Sequence, residues 1–322
     1  MNFEPSEHWT RVSASLGAVV WVFLTMLAAL GKAPLGVIEL LFLFAPLVVV
    51  PLGLALGRLV APLELRVIDR TARILQPVAA ALVIGSFWSS PGWKAGALAG
   101  PWLIVSGLVA LAGIASLVRD RSRSLAALAV NVGRIDLGIA GYWLLLSRLG
   151  SRPLGVQEPI VLLTAVHFHY TGFATSLLAG TTVAFLQRRG EESWIIHALV
   201  WLVAFLPFVV ASGFVFSPTL KVFAAVALSV SVAGLALAQL WLARGVKTGA
   251  ARGFLRLSAA SVIVGMGLAA VYAIGDSLGK DWLLIPRMAG THGVLNGLGF
   301  VLLGLLGWLL EWHGSEAETL LS

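Results

Sequence analysis

The sequence predicts an all-α fold: a polytopic transmembrane helix bundle of about ten helices, with both termini cytoplasmic. Three observations carry this. Of the 322 residues, 59% are hydrophobic and only 11% are charged, where a soluble domain averages about a quarter charged. The apolar residues fall in runs close to the length of about 20 residues that a helix needs to cross a bilayer. The lysines and arginines lie almost entirely between those runs, and unequally on alternate sides.

Taken in order, the first run covers 12–31 and follows Glu4 and Glu7. A cleavable signal peptide has a basic start, a shorter apolar core and a small-residue cleavage site. This run has no clear cut point and predicts a retained helix. The second covers 35–57. The third, 72–89, is the weakest: it is short and ends in Phe87-Trp88-Ser89-Ser90-Pro91-Gly92-Trp93, the composition of an interfacial aromatic belt. Between the second and third, Arg58 to Arg73 mixes basic residues with leucine and valine, which reads equally as a surface-lying amphipathic segment or a plain loop. The fourth and fifth cover 96–117 and 124–147. The sixth, 159–186, is long enough to tilt or to extend beyond the bilayer. The last four cover 194–214, 221–243, 254–274 and 290–310. The whole chain, 1–322, is expected to be a single transmembrane domain with no soluble domain.

Orientation follows from the basic residues. Fourteen lysines and arginines fall in the loops of one side, Arg121 and Arg123 among them, and seven on the other. The positive-inside rule places the richer side, and with it both termini, in the cytoplasm. The same distribution argues against nucleic acid as the partner of the net charge of +7, because no extended basic face exists. The expected surroundings are membrane lipids, in a multi-pass protein of the cell membrane. No cysteine occurs, which excludes disulfides, thiolate metal sites and cysteine nucleophiles. Gly96 with Gly100, and Gly293 with Gly297, have the small-residue spacing that lets helices approach closely.

Against this apolar background a few polar residues stand out. The sixth run carries His167, His169 and Tyr170; the fifth carries Asn131, Arg134 and Asp136; the tenth carries Thr291, His292 and Asn296; the second carries Glu39. Ionisable groups at membrane depth are costly and face a protein interior or a watery cavity. With both termini inside, His167 to Tyr170 lie roughly 12–16 Å deep, at about 1.5 Å per residue. The other groups fall in the outer half or near the middle, so the expectation is one polar pocket shared by the fifth, sixth and tenth helices. Residues two apart lie on opposite helix faces. Arg134 and Asp136, and likewise His167 and His169, therefore need polar neighbours on two sides or a locally altered helix.

Each group also has a purely structural reading. Arg134 and Asp136 can form an ion pair, the histidines can hydrogen-bond between helices, His292 with Asn296 can act as interhelical glue, and Glu39 can snorkel to the interface. Metal is weighed and set aside: a His-x-His pair on a regular helix points its rings apart, and no His-Glu-x-x-His motif occurs. No metal or cofactor is expected.

His167-Phe168-His169-Tyr170-Thr171-Gly172-Phe173, followed by His292-Gly293-Val294-Leu295-Asn296-Gly297-Leu298-Gly299-Phe300, resembles the YndJ-like family of bacterial integral membrane proteins. That family has a His-Phe-His-aromatic-x-Gly-Phe segment and a later His-Gly-x-x-Asn-x-x-Gly-Phe segment. The resemblance covers the sixth and tenth helices well, the fifth loosely, and the first four only in being apolar. It implies an architecture in the bacterial inner membrane and a set of candidate positions, not a reaction.

Three functions compete. In a membrane-embedded enzyme acting on a lipophilic small molecule, Asp136, His167 and His169 are the acid–base candidates and Arg134 stabilises developing charge. Asn131, Tyr170, His292, Asn296 and Glu39 then position the substrate. Isomerisation, cyclisation or hydration would suit such a dry pocket. In a proton-coupled transporter or channel the same groups form a proton relay or substrate site. In a structural membrane protein they only hold helices together.

Overall fold

The computed structural model describes residues 5–63, 65–119, 124–191 and 193–319, so Glu4, Arg121 and Arg123 lie outside the described residues. Among the described residues the chain is all-α, with no strand. The ten long helices among them are α1 (Pro5–Ala29), α2 (Val37–Val60), α3 (Arg66–Phe87), α4 (Trp93–Arg119), α5 (Leu125–Leu149), α6 (Ile160–Arg188), α7 (Trp194–Phe216), α8 (Pro218–Leu242), α9 (Gly249–Ser277) and α10 (Ile285–His313). Nine of these are long and apolar enough to cross a membrane. The exception is α3, which has 22 residues but opens with Arg66, Asp69, Arg70 and Arg73 before turning apolar at Ile74. The stretch from Arg66 to Arg73 is thus neither loop nor a separate surface helix; it is the first two turns of α3. The chain is a multi-pass helical membrane protein.

The helices pack as two compact units. Unit 1 comprises the described residues within 1–55, 62–123 and 131–174; unit 2 comprises those within 56–61, 124–130 and 175–322. The long helices α2, α5 and α6 each contribute residues to both.

In unit 1 the buried core is Phe42, Leu43, Trp102, Leu137, Leu144 and Phe173. Lipid tails are as apolar as leucine, so burial alone does not drive helices together in a membrane; close packing and hydrogen bonds do. Glycines supply the close packing. A Cβ on Gly113 of α4 would stand 2.9 Å from the Asn131 carbonyl oxygen and from Arg134 Cβ on α5. One on Gly138 would stand 2.7 Å from Ala110 Cβ. Of the predicted pair on α4, Gly96 packs tightly under Leu149, while Gly100 has nothing within 4 Å.

Prolines shape the hydrogen-bond pattern. In α2 the helix widens to π geometry over Ala45–Val49. There Ala45 N–H donates to the Phe42 carbonyl and Val50 N–H to the Ala45 carbonyl. Pro46 and Pro51 have no N–H to give. The carbonyls of Leu41 and Pro46, each five residues earlier, thereby lose their helical donors. Side chains from other helices replace them: Tyr170 Oη donates to Leu41 O at 2.8 Å, and Gln76 Nε2 to Pro46 O at 2.6 Å. In α3, Pro77 likewise withholds a donor from the Arg73 carbonyl, and Trp9 Nε1 donates to it at 3.3 Å.

In unit 2 the core is Leu177, Leu242, Leu255 and Trp308. The second half of α10 lies close on α9. A Cβ on Gly307 would stand 2.8 Å from Leu255 Cγ, and Ser258 Oγ donates to Phe300 O at 2.8 Å. Gln239 of α8 donates to Leu255 O at 2.8 Å and to Ser258 Oγ at 3.1 Å.

Candidate functional site

The sixth helix settles the two-faces problem by changing register. It is α-helical over Ile160–His167, π-helical over Phe168–Ala174, and α-helical again from Thr175 to Arg188. A π segment has more residues per turn, so it swings its side chains onto faces that a regular helix would not present, and such segments are frequent at functional sites. Within it His169, Tyr170, Gly172 and Phe173 are all buried.

His169 is fully buried and both its ring nitrogens are engaged. Nδ1 lies 2.8 Å from the Ala165 carbonyl oxygen and Nε2 lies 3.1 Å from Trp102 Nε1. A carbonyl only accepts and an indole N–H only donates. The ring is therefore the neutral tautomer with its proton on Nδ1. Phe42 meets it edge-on at 5.1 Å between centroids, and Trp102 stacks at 5.9 Å. His167, two residues earlier, is exposed, with Nδ1 donating to Leu163 O at 2.7 Å. The two histidines thus do not share a site. Tyr170 spends its hydroxyl hydrogen on Leu41 O.

On α5 the expected separation of Arg134 and Asp136 holds. Arg134 is 2% exposed and donates from Nη1 to Asn131 Oδ1 at 2.6 Å, one turn away, on the face that Gly113 of α4 approaches. Asp136 faces the π segment instead. A Cβ on Gly172 would stand 2.8 Å from Asp136 Cβ and 3.0 Å from its Oδ2, so the carboxyl lies against the bare backbone of Gly172. Asp136 is wholly buried, and neither carboxyl oxygen has a hydrogen-bond partner among the described residues, Arg134 included. A carboxylate taken out of water needs a partner or a proton.

Glu39 does not join this group. Its Oε2 accepts the Gly36 N–H at 2.9 Å and caps the first turn of α2, where a carboxylate also meets the positive end of the helix dipole.

His292 and Asn296 belong to unit 2. The start of α10 is π-helical over Ala289–Gly293 and again over Leu295–Leu302. His292 Nδ1 donates to Gly265 O of α9 at 2.8 Å, and Asn296 Nδ2 donates to His292 O at 2.7 Å. A Cβ on Gly265 would stand 2.8 Å from Asn296 Nδ2. This is an interhelical hydrogen-bond cluster seated on a glycine. Among the described residues no group of three or more His, Cys, Asp or Glu is placed to hold a metal ion.

Residues 40–300 match the YndJ-like protein family. The chain belongs to that family. It is also similar to the uncharacterized membrane protein YndJ of Bacillus subtilis (strain 168), with 29% identity over 214 residues. The matched stretch is 65% of this chain and 38% of that protein, so the chain spans well under half of the relative it matches. No solved structure matches. Both YndJ-like segments, 167–173 and 292–300, fall inside the matched region, as do Asn131, Arg134 and Asp136. In this YndJ-like chain the two segments are also where α6 and α10 turn π-helical.

Sequence reasoning reached Asp136 and His169 but missed their neighbours. In the sequence nothing separates Trp102 from the other apolar residues of its run, and Gly172 stands only as part of the 167–173 segment. Gln76 and the prolines of α2 carried a signal in principle. Two prolines five apart inside an apolar run leave carbonyls that some donor must reach.

Proposed function

We propose that unit 1 carries a proton-exchanging centre and that the chain is a proton-coupled membrane transporter, with Asp136 as the group that takes up and releases the proton. One observation carries the reading: a fully buried carboxyl, pressed against Gly172, with no hydrogen-bond partner on either oxygen among the described residues. The other polar groups singled out on the fifth, sixth and tenth helices have specific partners. Those partnerships are what a purely structural role requires. Among the described residues Asp136 contributes no hydrogen bond between helices, and retaining such an acid at membrane depth has a cost.

An acid–base enzyme would also use Asp136, but it needs a second proton-handling group at the same substrate. The sequence offered His169 and His167 for this. His169 has both nitrogens committed to Ala165 and Trp102, and His167 lies on a different face and is exposed. Arg134, the expected charge stabiliser, is bound to Asn131 on the face toward α4. A carboxyl acting alone fits relay chemistry, in which one group is loaded and unloaded as the surrounding helices move.

The test is proton flux into proteoliposomes holding a pH-sensitive dye, driven by a potassium diffusion potential, with and without cell extract as a source of substrate. Wild-type protein should carry protein-dependent flux that Asp136→Asn abolishes, while His169→Gln retains it in proportion to folded protein. Equal flux through wild type and Asp136→Asn would falsify the assignment.

A further inference from the structure

The ends of four helices in unit 2 gather cations in one place. Arg188 closes α6; Arg244 and Lys247 lie in the turn after α8; Arg252 is in the first turn of α9; Arg189 follows α6 directly. Ring stacking and hydrogen bonds tie them together. The Arg188 guanidinium stacks 3.9 Å from the ring centre of Trp312 on the last turns of α10. Arg189 lies 5.6 Å from the ring centre of Trp241, and its guanidinium covers Gly245 so closely that a Cβ there would collide with Nη1. Arg252 donates from Nη2 to Val246 O at 2.8 Å, and Glu311 accepts the Lys247 N–H at 3.2 Å. Two carboxylates sit among the five cations. Glu311 is buried and faces backbone N–H groups, and Glu191 pairs with Arg189 at 3.0 Å.

Five cations brought together repel one another, and here Arg188 and Arg189 are held by indole faces, Arg189 also by the space that Gly245 leaves, and Arg252 by the Val246 carbonyl. Cations stacked on rings stay charged and lose little mobility on meeting an anion. Arg189 already donates from Nε and Nη2 to Glu191 Oε1, so a bound phosphate takes the place of that carboxylate or shares the guanidinium with it. Arg188, Arg189, Arg244 and Lys247 are exposed. Their level along the helices is that of a membrane surface, since α6, α8 and α10 end there and α9 begins there. Trp241, which is exposed, marks the same level, as interfacial tryptophans do.

We propose that this patch is a binding site for the phosphate group of an anionic phospholipid, with Arg188 and Arg189 as its main ligands and Gly245 as the seat that positions Arg189. It is independent of the role given to Asp136, and it is more than the general attraction of basic loops to a charged leaflet, because it depends on how two guanidinium groups are held.

The test uses the full chain in detergent and counts bound lipid by native mass spectrometry, with phosphatidylglycerol and phosphatidylcholine added in turn. Wild type should retain phosphatidylglycerol over phosphatidylcholine, and the preference should fall with added salt. Arg188→Gln with Arg189→Gln should weaken phosphatidylglycerol binding about tenfold or more, since each basic residue near a charged leaflet contributes appreciably. Gly245→Ala keeps every charge but displaces Arg189, so it should also weaken binding; it stands as the second probe if the double variant fails to fold. Lys32→Gln with Lys94→Gln, in the turn after α1 and in the first turn of α4, should leave binding unchanged. Three outcomes would overturn the site: equal retention of both lipids, equal loss in the Lys32/Lys94 control, or full displacement by an equal concentration of inorganic phosphate, which would make it a free-phosphate site.

Discussion

Asp136 and Gly172 form a pair in which one residue's shape serves the other's chemistry. The carboxyl fits only because Gly172 has no Cβ. Gly172→Ala should therefore destabilise the protein by about 1–3 kcal/mol, the usual cost of overpacking. Adding Asp136→Ala in the same chain should recover only part of that loss, because it removes the carboxyl oxygen 3.0 Å from the new methyl but leaves the Asp136 Cβ at 2.8 Å. Thermal unfolding in detergent measures both; a Gly172→Ala protein as stable as wild type would show that the approach is not tight. His169 behaves differently, because its ring is the acceptor for the buried Trp102 N–H. His169→Phe leaves the Trp102 N–H without that acceptor, while the Ala165 carbonyl keeps the Phe168 backbone N–H. The expected cost is about 1–2 kcal/mol in the same assay, in line with interhelical hydrogen bonds in membranes.

Among the helices, α2 shows cause most directly. Its π turn and its two prolines leave the Leu41 and Pro46 carbonyls to be filled by Tyr170 and Gln76. Tyr170→Phe should cost about 0.5–1.5 kcal/mol. In a Pro46→Ala background the helix regains an N–H that reaches the same carbonyl, so the Tyr170→Phe penalty should shrink. A double-mutant cycle on unfolding free energies reads the coupling. Additive penalties would mean that the proline is not what makes the tyrosine necessary. The π segment of α6 has the same logic with another outcome: it points Tyr170 at α2, His169 at α4 and Gly172 at α5, three partners for one short stretch.

For the whole molecule, the number of crossings turns on α3, where length and charge pull in opposite directions. Its charged opening removes it from the set of clearly apolar spans, yet its 22 residues reach about 33 Å at about 1.5 Å per residue, enough for a bilayer core. If α3 crosses, Pro62 and Ser90 lie on opposite sides. The chain has no cysteine, so Pro62→Cys and Ser90→Cys each add a single thiol. An impermeant thiol reagent applied to intact cells should label Ser90→Cys and leave Pro62→Cys untouched until the membrane is opened. Labelling of both, or of neither, in intact cells would leave α3 on one side and reduce the crossings to nine.

The class of protein, the order of the long helices with their ends to within seven residues, and the family were all legible in the amino-acid order. They depend on composition, on short motifs and on the length of apolar runs, which are local properties set by the thickness of the bilayer. The opposite facing of Arg134 and Asp136 was legible too, because helical periodicity alone requires it. Partnership was not. His169 and Asp136 are both polar intruders in an apolar run, yet one is satisfied twice and the other has no hydrogen bond among the described residues. Hydrogen bonding is decided by which groups two helices bring within about 3 Å of each other, and that depends on register, on the π turns and on the glycines that allow close approach. It took the packed helices to set Trp102 beside His169 and Gly172 beneath Asp136, because those contacts join residues far apart in the chain.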